Sequence, residues 1–141
     1  MTVVVDASVA VQWLFRLDGQ EPLTEIIRPG EALIAPDLIF AEIGNAAWKL
    51  VTYEKLLADK VAAVVQDAPR LFDEIISSRS LVDRALAIGI QLGYPVYDCF
   101  YLALAERRDC KMATADQRLA SRCARTPFAK RLITARSGRR R

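Results

Sequence analysis

The sequence predicts an α/β fold in which a parallel sheet is covered by helices on both faces. Short apolar segments rich in β-branched residues alternate with longer segments of helical periodicity, and Gly or Pro punctuates several of the boundaries. A continuous apolar run is typical of a strand that is buried on both sides, as strands are in parallel sheets. Right-handed crossovers between such strands place the connecting helices over the two faces.

The first elements of this fold are expected at residues 3–5, 7–15 and 32–35. Residues 3–5 are three consecutive valines and predict a buried strand, and residues 7–15 have the periodicity of a helix. Asp18-Gly19 and Pro29-Gly30 indicate turns. Residues 32–35 predict a second short strand, which the following proline ends.

The central part of the chain is predicted to be helical. Residues 37–53 predict a helix with Asp37 as its N-cap, because a carboxylate there can accept from the free N–H groups of the first turn. Residues 59–77 predict a second helix with a break near Pro69. A third helix is expected at residues 81–92, and residues 80–82 are also compatible with a brief strand.

Gly93 closes that third helix in the left-handed position that glycine favours at helix ends. The next helix opens at residue 95 and runs to about residue 107. The remaining elements are a strand at residues 111–114, a helix that begins at Asp116 and ends near residue 123, and a last strand at residues 132–134.

Length and composition indicate one ordered domain. The chain has 141 residues, a common size for a single domain that can bury a core. Apolar residues make up 52% of it, which argues against disorder. It contains no apolar run of the roughly 18 residues that a membrane span requires, and its start lacks the charged region of a signal peptide. We therefore expect a cytoplasmic protein that does not contact a membrane.

The titratable side chains exclude several kinds of chemistry. The chain has no histidine, so it cannot contain a Ser-His-Asp triad, a histidine proton shuttle or a zinc site built on imidazole. Its three cysteines are odd in number and lack Cys-x-x-Cys spacing, which favours reduced thiols over disulfides or zinc ligands.

Charge is distributed unevenly along the chain. Residues 1–106 contain 8 Lys and Arg against 15 Asp and Glu, a net charge of −7, whereas residues 107–141 contain 12 against 2, a net charge of +10. A basic segment on an acidic body indicates a nucleic acid or an acidic protein as partner. The terminal run Arg139-Arg140-Arg141 is equally compatible with a solvated tail.

Four acidic residues lie at strand ends or in helices. Asp6 directly follows the first strand, and Ser8 lies two residues further on. Thr114-Ala115-Asp116 repeats this pattern after a later strand, again with a hydroxyl and a carboxylate two residues apart. Because the carboxyl ends of parallel strands meet at one edge of the sheet, Asp6 and Asp116 are expected to lie near each other.

The other two acids belong to predicted helices. Glu42 lies within an otherwise apolar stretch, and Asn45 shares its helix face. Asp98 lies in a first helical turn, where free N–H groups and the helix dipole favour a carboxylate. Each acid alone is also explained by helix capping or by exposure to solvent. Together they indicate a site for a hard cation such as Mg²⁺ or Mn²⁺, since clustered carboxylates otherwise repel one another.

These motifs resemble those of PIN-domain ribonucleases. The opening from Val3 to Ser8, the Glu-x-x-Asn of Glu42 and Asn45, the segment that begins Tyr97-Asp98, and Thr114-Ala115-Asp116 occur in the order and spacing of that family. The resemblance covers nearly the whole chain, and the order, spacing and chain length fit the single-domain VapC-type toxins of type II toxin–antitoxin systems.

The resemblance implies a three-layer α/β/α sandwich around a short parallel sheet, formed by residues 1–135 and followed by a basic tail at residues 136–141. It implies Mg²⁺ or Mn²⁺ held by Asp6, Asp98 and Asp116, with Glu42 contributing directly or through water. All four acids are then catalytic, and the supporting polar residues are Ser8, Asn45 and Thr114. It also implies an RNA substrate, an antitoxin partner and a homodimer.

An acidic site needs cations around it if it is to hold RNA. The basic residues nearest to Asp116 in sequence are the candidates: Lys111, Arg118, Arg122 and Arg125.

Two other readings remain open from the sequence. Phosphoryl-transfer enzymes of the haloacid-dehalogenase type and receiver domains also combine a parallel sheet with Mg²⁺, but the former need Asp-x-Asp after the first strand, where this chain has Asp6-Ala7-Ser8. The second alternative is a catalytically inactive PIN-like module that binds RNA or protein.

Overall fold

A computed structural model describes residues 1–15 and 30–134 of the chain. The turn predicted at Asp18-Gly19, the first residue of the turn at Pro29-Gly30, and the basic tail lie outside the described residues. The strands are β1 (Thr2–Val5), β2 (Ala32–Pro36), β3 (Glu74–Ile76), β4 (Lys111–Thr114) and β5 (Leu132–Thr134). The helices are α1 (Ala7–Phe15), α2 (Leu38–Thr52), α3 (Ala58–Asp67), α4 (Val82–Leu92), α5 (Val96–Arg107) and α6 (Gln117–Cys123).

The five strands form one parallel sheet in the order β3-β2-β1-β4-β5. The chain builds the sheet outward from β1 to β3, then crosses back and adds β4 and β5 on the other side of β1. The gap between β1 and β4 is therefore the topological switch point, where ligands bind in open α/β sheets.

The helices cover both faces of the sheet, which confirms the predicted α/β/α sandwich. α1, α2 and α3 pack on one another, while α4 packs along α5, and α5 lies against β1, β2 and β4. Because right-handed crossovers change face when the direction of strand addition reverses, α1 to α3 form one layer and α4 to α6 the other. Among the described helices, none combines the length and apolarity that crossing a membrane demands.

Apolar strands and helix faces form a single core between these layers. Val4 and Val5 of β1 and Met112 of β4 are completely buried in the sheet. Ile39 of α2 and Leu102 of α5 are equally buried. The continuous apolar character of the strands is explained by this two-sided burial, and the strand predicted at residues 3–5 is confirmed.

The helix predicted at residues 59–77 is wrong in its second half. α3 ends at Asp67, a 3₁₀ helix spans Ala68–Leu71, and β3 follows at Glu74–Ile76. Pro69 lies in the first turn of the 3₁₀ helix, where its missing N–H is tolerated. Ile75 and Ile76 then pair with Ala35 and Pro36 of β2, so backbone pairing with a distant strand decides the conformation of this segment.

Two local predictions near α2 and α4 are also wrong. Asp37 does not cap α2; its Oδ1 instead accepts a hydrogen bond from the Ser78 N–H at 3.0 Å, and the Ser78 hydroxyl accepts from the Leu38 N–H at 3.1 Å. These reciprocal bonds tie the segments that follow β2 and β3 to each other. The strand alternative at residues 80–82 fails because a 3₁₀ helix occupies Ser78–Ser80 and α4 begins at Val82.

Gly93 ends α4 as predicted. Its φ is 64°, in the left-handed region, and the Tyr94 N–H donates to the Gly89 carbonyl at 3.1 Å. This tight turn lets α5 pack directly against α4 and fixes where the first turn of α5 begins.

Candidate active site

The carboxyl ends of β1 and β4 bring Asp6 and Asp116 to the switch point of the sheet. Asp6 directly follows β1, and its N–H donates to the Ala113 carbonyl of β4 at 3.2 Å. Asp116 lies two residues beyond the end of β4 and begins α6. The strand order therefore produces the proximity that the sequence predicts for these two residues.

Asp6 is a buried carboxylate held by three donors. Asp6 is only 3% exposed to solvent. Oδ1 accepts from the Ser8 hydroxyl at 2.6 Å and from the Val9 N–H at 3.1 Å, while Oδ2 accepts from the Thr114 hydroxyl. Burial outweighs these hydrogen bonds and raises the pKa of Asp6 to about 6, and the charge of Glu42 adds to the shift.

The hydroxyls of Ser8 and Thr114 connect the two loops at the switch point. Besides donating to Asp6, the Ser8 hydroxyl accepts from the Ala115 N–H at 2.9 Å. The Thr114 hydroxyl accepts from the Asp116 N–H at 3.0 Å. Side chains that are more than 100 residues apart in the chain thus fix the orientation of the Asp6 carboxylate.

Asp116 caps α6 and faces the turn that precedes α5. Its Oδ1 accepts from the N–H groups of Arg118 and Leu119 at 2.9 and 3.2 Å, which confirms the predicted N-cap. Its Oδ2 accepts from the Tyr94 hydroxyl at 3.2 Å. Burial, followed by the charges of Asp116 and Asp98, raises the pKa of Tyr94 to about 12, so this hydroxyl remains a donor.

Asp98 lies half-buried in the first turn of α5. Within the described residues, its carboxylate makes no hydrogen bond or ion pair. Burial raises the pKa of Asp98 to about 6, and the charges of Asp116 and Asp6 contribute to the shift. The negative charge of Asp98 thus faces two other acids and has no hydrogen-bond donor or cation beside it among the described residues.

Glu42 reaches the same region from α2. Its Oε1 accepts from the Tyr101 hydroxyl at 2.5 Å. Burial raises the pKa of Glu42, and the charge of Asp98 raises it further. Asn45, one turn further along α2, is exposed to solvent, and its side chain has no hydrogen-bond partner in the described part of the chain.

Sequence reasoning missed the two tyrosines that bind these acids. The sequence motifs assign neither Tyr101 nor Tyr94 to the site. A signal for Tyr101 exists, because it lies three residues after Asp98 and therefore on the same side of α5. No comparable pattern in the sequence identifies Tyr94.

The donor set fits a hard divalent cation in its chemistry. Four carboxylates face one region, and the chain has no histidine. The pKa values of Asp6, Glu42 and Asp98 are each raised partly by the charge of another acid of this group. Among residues 1–15 and 30–134, no three acidic or cysteine side chains are already gathered closely enough to hold one ion together. Mg²⁺ typically keeps several waters and binds through one or two carboxylates, so a fully closed cage is not required.

The candidate RNA-binding arginines differ in how free their side chains are. Arg118 and Arg125 are exposed, and neither side chain has a partner in the described residues. Arg122 is engaged: its Nη1 donates to the carbonyls of Leu92 and Gly93 at 3.0 and 2.5 Å. Its guanidinium also lies 5.6 Å from the centre of the Tyr94 ring. Arg122 therefore fastens α6 to the turn before α5.

Lys111 does not lie beside Asp116, which corrects the proximity that the sequence suggested. It begins β4, whereas the acids lie beyond the end of that strand. Lys111 instead lines a cavity of about 650 Å³ at the opposite edge of the sheet, together with Lys130 and Arg131. Closeness in sequence failed as a guide because a strand carries its two ends to opposite edges.

The fold and this group of side chains define an α/β/α protein with a carboxylate site at the switch point of a parallel sheet. The family model of the PIN domain matches residues 3–124. The chain therefore belongs to the PIN-domain family, as the resemblance of its motifs predicted.

Curated relatives align with most of the chain. It is 27% identical over 124 residues to ribonuclease VapC3 of Pyrobaculum aerophilum, covering 86% of this chain and 95% of that protein. It is 33% identical over 117 residues to ribonuclease VapC9 of Mycobacterium tuberculosis, covering 83% and 87%.

The fold is also similar to that of a solved toxin–antitoxin complex from Klebsiella pneumoniae. The TM-score is 0.61 at 14% identity, and the match covers 94% of this chain and 97% of that one. At this identity the likeness supports the fold.

Proposed function

We propose that this protein is a metal-dependent endoribonuclease and the toxin of a toxin–antitoxin pair. The observation that carries the proposal is the meeting of Asp6, Glu42, Asp98 and Asp116 at the switch point of a PIN fold. The names of the relatives, which are ribonucleases that align with most of the chain, support the same activity. In this proposal residues 1–135 are the nuclease domain, residues 136–141 are a tail, and the protein is cytoplasmic.

Asp6, Asp98 and Asp116 are the proposed ligands of Mg²⁺ or Mn²⁺, and Glu42 contributes directly or through water. Such an ion, when bound, acidifies water and offsets the negative charge of a phosphodiester under attack. Ser8 and Thr114 orient Asp6, and together with the Val9 N–H they leave one lone pair of Oδ2 without a recorded donor. Asp98, which has no hydrogen-bond partner in the described residues, gains the most from a cation.

Water is the proposed nucleophile, and an acid of the site accepts its proton. Asp116 and Glu42 are the two candidates for this general base. No hydrogen bond to Oε2 of Glu42 is recorded among the described residues, and Oδ2 of Asp116 accepts only from the Tyr94 hydroxyl. Hydrolysis by water leaves a 5′-phosphate and a 3′-hydroxyl. A reaction that used the ribose 2′-hydroxyl as nucleophile would instead leave a 2′,3′-cyclic phosphate.

RNA is proposed to bind through cations beside the acidic site. Arg118 and Arg125 have the free side chains that phosphate contacts require, and both lie on or just after α6, whose first residue follows Asp116. Each phosphate contact releases counterions, so binding should weaken as salt concentration rises. The supporting role that the resemblance implies for Asn45 is proposed to be a contact with RNA or water, since its side chain is exposed.

The proposed partners are an antitoxin and a second copy of the chain. An apolar groove of about 250 Å³ between α1 and α3, lined by residues that include Phe15, Leu57 and Val61, supports a protein partner. The solved toxin–antitoxin complex of similar fold supports an antitoxin as that partner. On α4, Leu86 and Ile90 lie one turn apart and are 54% and 73% exposed, and such a stripe can pair with its own copy about a twofold axis.

An inactive binding module is not favoured, because all four acids are present and interact. The PIN family match likewise removes the haloacid-dehalogenase and receiver alternatives.

The test is cleavage of total cellular RNA by the purified protein with Mg²⁺, with Mn²⁺ and with EDTA. We expect metal-dependent cleavage that leaves 5′-phosphates and is lost in Asp98→Asn. Asp67→Asn, a matched change of an exposed aspartate at the end of α3, should cut like the wild type. The proposal is wrong if Asp98→Asn cuts at the wild-type rate, or if the cleaved ends carry cyclic phosphates.

A further inference from the structure

The hydroxyl of Tyr101 forms a hydrogen bond from one helical layer to the other. Tyr101 is completely buried on α5, and its hydroxyl donates to Oε1 of Glu42, 59 residues away on α2, at 2.5 Å. A phenol hydroxyl that is removed from water needs a partner, because an unpaired buried donor is costly. Within the described residues Glu42 is the partner that the structure records.

This contact holds Glu42 in a defined position. A glutamate side chain has three rotatable torsions, and Glu42 is only half-buried, so its carboxylate could otherwise point in several directions. One oxygen, Oε1, is fixed by Tyr101, whereas no hydrogen bond to Oε2 is recorded among the described residues. The arrangement leaves the second oxygen available for a cation or a water.

The same helix carries both Tyr101 and Asp98. They are three residues apart and therefore on one side of α5, which packs against β1, β2 and β4. Any shift of α5 moves Asp98 and the donor to Glu42 together. The geometry thus couples the position of one acid to that of another which lies in the opposite helical layer.

We infer that Tyr101 is a positioning residue that fixes Glu42 for the cation and the attacking water. The inference rests on the proposed function, since it assigns a role within the same site. Residues that orient metal ligands by hydrogen bonds commonly contribute a factor of 10 to 100 to metal affinity or activity. Burial, followed by the charge of Glu42, raises the pKa of Tyr101 far above its ordinary value, so the hydroxyl stays a donor.

The test is Mn²⁺ binding by Tyr101→Phe, followed by the electron paramagnetic resonance signal of free Mn²⁺. The matched control is Tyr97→Phe: Tyr97 belongs to the same helix, is 62% exposed, and makes no side-chain hydrogen bond with the described residues. We expect Mn²⁺ binding to weaken about 10-fold in Tyr101→Phe and to stay within twofold of wild type in Tyr97→Phe. In RNA cleavage, kcat should fall while KM for RNA changes less than twofold.

A double-mutant cycle separates positioning from a general loss of stability. In a Glu42→Gln background, Tyr101→Phe should cause little further change in Mn²⁺ affinity, because the residue through which Tyr101 acts is already altered. A purely structural role predicts a lower melting temperature in EDTA without any change in Mn²⁺ affinity.

The outcomes distinguish this inference from the proposed function. If the wild-type protein binds Mn²⁺ and cuts RNA, and Tyr101→Phe binds Mn²⁺ with the same affinity, the inference is overturned and the proposed function stands. An equal loss in Tyr97→Phe, or an undiminished effect of Tyr101→Phe in the Glu42→Gln background, would also overturn the inference alone. A wild-type protein that neither binds Mn²⁺ nor cuts RNA would overturn the proposed function, and the inference would fall with it.

Discussion

Replacing Asp98 by Asn should stabilise the metal-free protein while abolishing its activity. Asp98 makes no hydrogen bond within the described residues that an amide would break, and it faces the charges of Asp116 and Asp6. Its pKa is raised from 3.8 to about 6 in the folded protein. At pH 7.5 the carboxylate is therefore charged at a cost of about 3 kcal/mol. Because the side chain is partly exposed to screening solvent, about 1.5 kcal/mol is a reasonable expectation.

Thermal unfolding in EDTA at pH 7.5 measures this gain. For a chain of this size, about 1.5 kcal/mol corresponds to a rise in melting temperature of about 5 °C. Asp67→Asn is the control, since Asp67 is exposed and makes no hydrogen bond or ion pair with the described residues; its melting temperature should move by about 1 °C or less.

Saturating Mn²⁺ should reverse the order of stability. A ligand at 100 times its dissociation constant stabilises the folded state by about 2.7 kcal/mol, and the variant that lacks a ligand should gain much less. If Asp98→Asn melts at or below the wild-type temperature in EDTA, the reasoning is refuted, because the buried charge of Asp98 and its repulsion by neighbouring acids would then not destabilise the folded protein.

Three further predictions concern pH, backbone conformation and the tail. In EDTA the stability of wild type relative to Asp6→Asn should fall by about 2 kcal/mol as pH rises from about 4 to 6.5, as measured by urea unfolding. Stability falls with rising pH because the pKa of Asp6 is 3.8 in the unfolded chain and about 6 in the folded protein, so the unfolded state loses its proton first. A stability difference between wild type and Asp6→Asn that does not change with pH would contradict this. Gly93→Ala should lower the free energy of unfolding by about 1 to 2 kcal/mol, since Gly93 has φ 64° and an added Cβ would lie 3.2 Å from Arg122 Nη1. Gly44 lies within α2, and an added Cβ there would have nothing within 4 Å, so Gly44→Ala should instead raise the free energy of unfolding by up to about 1 kcal/mol. If both substitutions changed the free energy of unfolding in the same direction, the left-handed turn at Gly93 would not be the cause. Removing Arg139 to Arg141 should leave RNA cleavage within twofold of wild type, and a large loss in the same cleavage assay would assign these arginines to substrate binding.

The sequence predicts the parts of this site that depend on local signals. Asp6 and Thr114-Ala115-Asp116 directly follow apolar strands, and a parallel sheet must bring such positions to one edge. Gly93 and Asp116 are recognised as helix ends because their roles involve residues only a few positions away. Local sequence signals therefore suffice to predict these elements.

Features that depend on distant partners were not accessible. β3 is three residues long and owes its conformation to pairing with β2, so its two isoleucines look like part of a helix in sequence. The Tyr101–Glu42 hydrogen bond spans 59 residues. Arg122 looks like a free cation in sequence, but two carbonyls and an aromatic ring occupy its guanidinium.

The basic character of the last quarter of the chain is likewise only partly available to a ligand. Arg107 donates to the Ser80 hydroxyl and carbonyl, and Arg131 donates to the Cys110 carbonyl and to Asp109. Arg108 forms an ion pair with Glu74. Net charge by segment overstates the free positive surface, because it counts side chains whose hydrogen bonds hold the fold together.

The hydrogen bonds from Ala115 to Ser8 and from Thr114 to Asp6 also govern when the site can exist during synthesis of the chain. A ribosome delivers Asp6 first and the segment that orients it more than 100 residues later. Until β4 has emerged and docked beside β1, Asp6 lacks the Thr114 donor, and Asp116, which follows β4, is not in place. A nascent chain that is stalled or truncated before this point has no assembled carboxylate site. An enzyme whose substrate includes the cell's own RNA would thereby stay harmless to the ribosome that is still making it.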